Sequence, residues 1–329
     1  MPTIDVHTHF LPQELVDEAR TGQAVDGLRT EFVGGQEWMV HRQGFRYPLH
    51  QTFYDMPARL DAMTAMGVDI GILSVSPMMF MYWLPAAEGL DFCRRTNDTL
   101  SALGKESGGR LCPVATLPMQ DPAAAVAELR RAVGELGLRG AEIGPTVEGD
   151  PLDSAAVRPV LTAVAELGVP LIVHPYSVSV RAGLPDFYLT NLVGNPLETT
   201  VCAARLIFSG TLDALPGLRV VLMHGGGYLP YQIGRLDHGY RVRPEASGCL
   251  DRPSSYLNRF YYDTITHAAR PLEFLVDLVG AERVVYGTDF PFDMGGGSVA
   301  EQLAGVSLAD GDRLAIAGSN AAALFGVGG

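Results

Sequence analysis

Eight short apolar runs, nearly all separated by helix-like stretches, limit what this chain can fold into more than any other feature. They lie at 3–9, 68–75, 111–116, 138–143, 169–173, 218–223, 260–262 and 283–289. Between them, 57–66, 88–106, 122–136, 154–167, 196–209 and 271–280 read as helices, two of which stop at Gly67 and Gly168. Continuous apolar strands alternating with helices belong to a parallel sheet covered by helices. The expected fold is therefore α/β, a (β/α)8 TIM barrel forming one domain over 1–329, since such barrels often exceed ordinary domain size. An open doubly wound sheet is the competing arrangement. It gives no reason for polar residues to recur at the ends of the first, fifth, sixth and eighth runs, whereas in a barrel those ends form the catalytic face.

One stretch breaks the alternation. Residues 12–55, after the first strand, are polar and glycine-bearing and show no sustained periodicity, with Trp38, Phe45, Tyr47 and Phe53 scattered through them. An excursion of that length reads as a functional insertion near the mouth of the barrel.

The first strand, Thr3-Ile4-Asp5-Val6-His7-Thr8-His9, carries two imidazoles two residues apart. Side chains at i and i+2 of a strand share a side, so His7 and His9 can converge on one ion, and imidazoles suit transition metals better than calcium or magnesium. The fifth run ends in His174, the sixth in His224 followed by three glycines, and the last in Asp289. Each alone has an ordinary reading, as a hydrogen-bonded core histidine or an aspartate in a turn. Five such residues at one pole of a barrel favour a metal centre. Three imidazoles and a carboxylate, His7, His9, His174 and Asp289, can hold a divalent transition ion, leave room for water and bring its pKa down towards ~7. His224 is then a general base packed above the ion by its glycines, or a fourth histidine ligand; both readings stay open here.

The formal charge of −13 opposes affinity for nucleic acid or anionic membrane, which are bound through clustered Lys and Arg. Any anionic ligand must be held by local arginines. Cys93, Cys112, Cys202 and Cys249 are widely spaced and read as reduced, mostly buried thiols. No signal peptide or bilayer-spanning run is evident, so a cytoplasmic protein is expected.

Taken together these motifs resemble the amidohydrolase superfamily, and within it the aminocarboxymuconate semialdehyde decarboxylase family. The resemblance rests on Asp5-Val6-His7-Thr8-His9, Met79-Phe80-Met81-Tyr82-Trp83, Thr116-Leu117-Pro118-Met119-Gln120 and Ile172-Val173-His174-Pro175. It continues through Leu192-Val193-Gly194-Asn195-Pro196, Met223-His224-Gly225-Gly226-Gly227, Gly234-Arg235 and Gly287-Thr288-Asp289-Phe290-Pro291-Phe292. It implies His7, His9, His174 and Asp289 as metal ligands, His224 as the acid/base beside the ion, and zinc, sometimes manganese, as the metal. It also implies non-oxidative decarboxylation of a small carboxylic acid without an organic cofactor. Arg46 and Arg235 match the family's carboxylate-binding arginines, the second donated by the neighbouring subunit of a homodimer, and Phe292 falls in a matching stretch beside the substrate. Asn191 stands where the family carries Trp, and Tyr47, Pro48, Leu49 and His50 replace a more polar stretch. Exchanging an aromatic wall for an amide points to a different acid.

The first reading is thus a metal-dependent decarboxylase of an unsaturated or aromatic acid. A hydrolase or hydratase of a lactone, cyclic amide or enol acid is the alternative, because the same centre activates water. A non-catalytic scaffold is a third reading, opposed by the complete ligand set.

Overall fold

A computed structural model describes residues 1–42, 44–176 and 183–328 of the chain. Residues 177–182, which follow the fifth apolar run, lie outside the described residues. The core strands are β1 (Ile4–Phe10), β2 (Ile70–Val75), β3 (Leu111–Pro113), β4 (Ala141–Ile143), β5 (Pro170–Val173), β6 (Arg219–Leu222), β7 (Phe260–Asp263) and β8 (Val284–Val285). They pair in parallel as two arcs, β1-β2-β3 and β4-β5-β6-β7-β8. Single parallel bridges, Ala115 with Ala141 and Thr8 with Phe290, lie where the arcs meet. One apolar cluster spans both arcs: Ile4, Val6, Ile72, Ile172, Val221 and Val285 pack with Leu324 and Phe325 of the C-terminal helix.

The helices follow the expected alternation, and their ends follow from local chemistry. Asp55 caps helix Met56–Ala65 by accepting from the Ala58 amide at 2.8 Å, and Asp121 caps Pro122–Gly134 through the amides of Ala123 and Ala124. Gly168 ends Arg158–Leu167 in the left-handed conformation at φ 64°, which glycine adopts without penalty. The helix expected from 154 begins only at Arg158, because 154–157 form a turn held by the Ser154 hydroxyl.

Two stretches differ more. Residues 12–55 hold a helix, Gln13–Thr21, and an antiparallel sheet of Arg29–Val33, Gln36–Val40 and Arg46–Pro48. The run at 283–289 gives a strand of two residues only. Beyond it the chain bonds irregularly to β1, with the Asp289 amide donating to the His7 carbonyl at 2.6 Å and the His9 amide to the Phe290 carbonyl at 2.8 Å. Asp289 itself sits at φ 58°. All four cysteines are free, three buried and Cys112 half-buried, and among the described residues no helix is long and apolar enough to cross a membrane.

Candidate active site

The carboxyl ends of β1, β5, β6 and the segment after β8 bring His7, His9, His174, His224 and Asp289 together, as the strand-end pattern requires. One donor atom from each of His7, His9, His174 and Asp289 lies within 4.8 Å of the others, and all four residues are buried. Nε2 of His7 and of His9 approach Oδ1 of Asp289 at 3.3 and 3.1 Å.

The opposite ring atoms explain why these nitrogens face one another. Nδ1 of His7 meets Oδ2 of Asp263 at 2.6 Å, Nδ1 of His174 meets the Pro175 carbonyl at 2.6 Å, and Nδ1 of His9 meets the Ser74 hydroxyl at 3.0 Å. Ser74 donates its own proton to the Thr8 carbonyl at 3.3 Å, so it accepts from His9. Each Nδ1 therefore carries a proton, which leaves Nε2 as the nitrogen turned towards an ion. Among the described residues these three Nε2 atoms and Oδ1 of Asp289 are buried without a hydrogen-bond partner. Four buried, unpaired donor atoms aimed at one point are costly without an ion between them, and they fit a divalent transition metal.

Electrostatics follows the same geometry. Burial pushes His9 down to about 4, and burial with three neighbouring imidazoles holds His174 well below the ordinary range. Burial opposes charge on His7 too, but Asp289 and Asp263 outweigh it and raise the group. For Asp289 burial is outweighed by His7, His224 and His9, which hold the carboxylate well below its usual range.

His224 stands beside this set. Its Nε2 lies 3.9 Å from Oδ2 of Asp289, and its side chain keeps 15% exposure. The glycines after it are required: a Cβ on Gly226 would meet the Tyr262 ring at 2.6 Å, and one on Gly227 the Pro196 carbonyl at 2.1 Å.

A cavity of about 500 Å³ opens over these groups, lined by Arg46, Tyr47, His174, Asn191, His224 and Phe292 among others. Phe292 packs its ring against His9, Tyr47 and Phe53 at 5.5, 5.3 and 5.1 Å. Arg46, on the sheet of 12–55, lies over the Trp38 ring at 5.3 Å. Asn191 lies in the π-helical segment Thr190–Gly194, which runs into helix Asn195–Phe208, and no side-chain bond caps the start of either. A second cavity of about 530 Å³ meets the first at Asn191, His224 and Asp289. Arg235 is the exception: on helix Leu229–Val242 it faces solvent and lines neither cavity of its own chain.

Sequence reasoning missed two buried carboxyls. Asp263 ends β7 and orients His7. Glu142, on β4, is 1% exposed, and burial pushes it up to about 8 against the opposing pull of His7 and Ser74. Asp263 stands at the carboxyl end of its strand and Glu142 within a strand of three residues, Ala141–Ile143.

A sequence model of the family described as Amidohydrolase matches residues 4–327. The chain is 34% identical over 297 residues to 2-amino-3-carboxymuconate-6-semialdehyde decarboxylase of Dictyostelium discoideum, covering 89% of this chain and 82% of that one. It is 34% identical over 286 residues to gamma-resorcylate decarboxylase of Rhodococcus jostii strain RHA1, covering 81% and 86%. Among solved structures, dihydroxybenzoic acid decarboxylase from Polaromonas sp. JS666, with bound manganese and the inhibitor 2-nitroresorcinol, aligns with a TM-score of 0.79. That match has 26% identity and covers 99% of this chain and 97% of the other.

Proposed function

This chain belongs to the amidohydrolase family, in its aminocarboxymuconate semialdehyde decarboxylase-like branch, and from that premise we propose how its site works as a metal-dependent decarboxylase of an aromatic or unsaturated acid. The observation that carries the reading is the set of four buried, unpaired donor atoms of His7, His9, His174 and Asp289 aimed at one point. We read these residues as the ligands and zinc as the ion, with manganese, which the Polaromonas enzyme holds, as the alternative. When bound, the cation supplies Lewis-acid stabilisation to an oxygen of the substrate.

The chain's own residues do the rest. The aromatic wall of Phe292, Tyr47 and Phe53 receives the ring or unsaturated chain, and Arg46, spread over Trp38, presents its guanidinium to a carboxylate at the mouth. Asn191 offers an amide between the two cavities, where it contributes to choice of substrate. As the C–C bond to the carboxylate breaks, carbon dioxide leaves and the bonding pair stays on the substrate carbon. His224 gives that carbon a proton, which solvent then restores. No electrons are gained or lost overall, so the proposal calls for no organic cofactor.

Arg235 completes the site of a neighbouring subunit in this reading. Its helix also carries Tyr231, 79% exposed, whose ring lies 6.3 Å from that of half-exposed Phe274, an apolar patch suited to a homodimer contact. In this reading the two strand arcs belong to a single (β/α)8 barrel domain over 1–329, with 12–55 as an insertion near the mouth of the site, in a cytoplasmic protein. Incubating the metal-loaded protein with the acids after which its relatives are named, and following carbon dioxide against hydrolytic products, tests this. Water addition without carbon dioxide would overturn it in favour of a hydrolase or hydratase.

A further inference from the structure

We infer that Arg59 is a positioning residue of the metal centre, holding His9 and Asp289 at their working separation across the break between β1 and β8. This rests on the metal reading above. The seam needs such a device. The ladder of β8 ends at Val285, so the segment that carries Asp289 reaches β1 through irregular backbone bonds and one isolated bridge. Two of the four donor atoms, on His9 and Asp289, come from opposite sides of that break.

Arg59 lies on helix Met56–Ala65 with 0% exposure, an unusual place for a guanidinium. Its Nη2 donates to the carbonyl of His9 itself. Its Nη1 lies 3.5 Å from the carbonyl of Phe290, the residue after Asp289, and its guanidinium stacks 4.8 Å from the Phe290 ring. One planar, rigid fork thus spans both sides of the seam, which a flexible ammonium would not do equally well. Asp5 closes the seam from the other end of the histidine pair. It accepts from the amides of His7 and Thr288 at 3.0 Å each and from the Thr288 hydroxyl. Asp5 is also the charged group that draws on Arg59, against the burial that pushes Arg59 down to about 9. The ligand-bearing residues 7–9 and 288–290 are therefore bracketed by side chains where regular strand pairing is missing.

A merely structural arginine and a positioning one differ in what their loss does to metal binding in protein that remains folded. Arg59→Met and Arg59→Lys, stripped of metal and titrated with Mn²⁺ against a competing chelator well below their thermal midpoints, separate the two. The electron paramagnetic resonance spectrum of the bound ion is the second readout. The expected result is a rise in Kd of roughly 10- to 100-fold for the Met variant, as for other groups that orient ligands, and a smaller rise for Lys, with an altered spectrum. A folded variant that binds Mn²⁺ with the native Kd and spectrum would overturn the inference. Failure of both variants to fold, even with millimolar Mn²⁺, would also overturn it by assigning Arg59 to folding alone. Absence of binding by the unmutated protein would instead defeat the metal reading, so the two failures are distinct.

Discussion

Asp263→Asn exchanges one carboxylate oxygen for an NH₂ group and should reverse the tautomer of His7. In the native site Oδ1 of Asp263 accepts from the amides of Gly225 and Ile265 at 2.7 and 3.1 Å, while Oδ2 accepts from Nδ1 of His7 at 2.6 Å. Two fixed backbone donors require an acceptor, so the asparagine carbonyl must take the Oδ1 place and its NH₂ must face the imidazole. Nδ1 then has to accept, which moves the ring proton to Nε2, the atom aimed at the other donors. A protonated nitrogen cannot ligate. Losing the partner that orients a histidine ligand typically costs 10- to 100-fold in metal affinity, about 1.4–2.7 kcal/mol, and the reversed tautomer places Asn at or beyond the upper end. Asp263→Ala removes the partner but lets Nδ1 keep its proton, so it should bind metal more tightly than the isosteric Asn variant. Equilibrium competition with a chromogenic chelator, alongside circular dichroism of each metal-free protein, reads the order directly. Native affinity in a folded Asn variant, or Ala weaker than Asn, would refute the tautomer argument.

Three other expectations are independent of that one. His224→Ala should keep its metal while carbon dioxide release falls by ~10²-fold or more; a metal-free variant would make His224 a ligand. Asn191→Trp should shift kcat/KM towards aminocarboxymuconate semialdehyde by an amount worth ~1–3 kcal/mol, and efficient turnover of that acid by the native chain would remove the basis for the shift. Glu142, raised by burial from 4.5 to about 8, binds a proton in the native chain that the unfolded chain releases, so its contribution is full below about 4.5 and is lost as pH rises through 8. Glu142→Gln should accordingly stabilise the metal-free protein at pH 8 by on the order of 4 kcal/mol and hardly at pH 4; parallel pH profiles in chemical denaturation would contradict this.

The alternation of apolar runs revealed the core strands because burial on both faces writes itself into composition. It overstated their length for the same reason. Val114, Ala115 and Tyr286 are as buried as any strand residue yet lie outside the regular ladders, and burial says nothing about pairing. The sheet within 12–55 was hidden by the reverse effect. Phe32 is 74% and Val33 49% exposed, so its first strand lacks a buried face, although Gly34-Gly35, both at positive φ, is the local hairpin signal. His7, His9, His174 and Asp289 were legible because strand-end position and residue type coincide with metal chemistry. Asp263 shares that position and Glu142 lies within its strand, but their roles depend on His7 and Ser74, contacts made only through space. Arg59 falls within the periodic face of its helix and gives no sign from the sequence that it reaches the carbonyl of His9.

The most direct test of the account is a metal titration of turnover. Protein stripped by exhaustive chelation and refilled in steps with Zn²⁺ or Mn²⁺ should recover carbon dioxide release from gamma-resorcylate, or from whichever related acid it accepts. Release should rise linearly and saturate at about one ion per chain, as the single set of three imidazoles and one carboxylate among the described residues requires. Undiminished carbon dioxide release from protein shown by elemental analysis to hold no transition metal would contradict it.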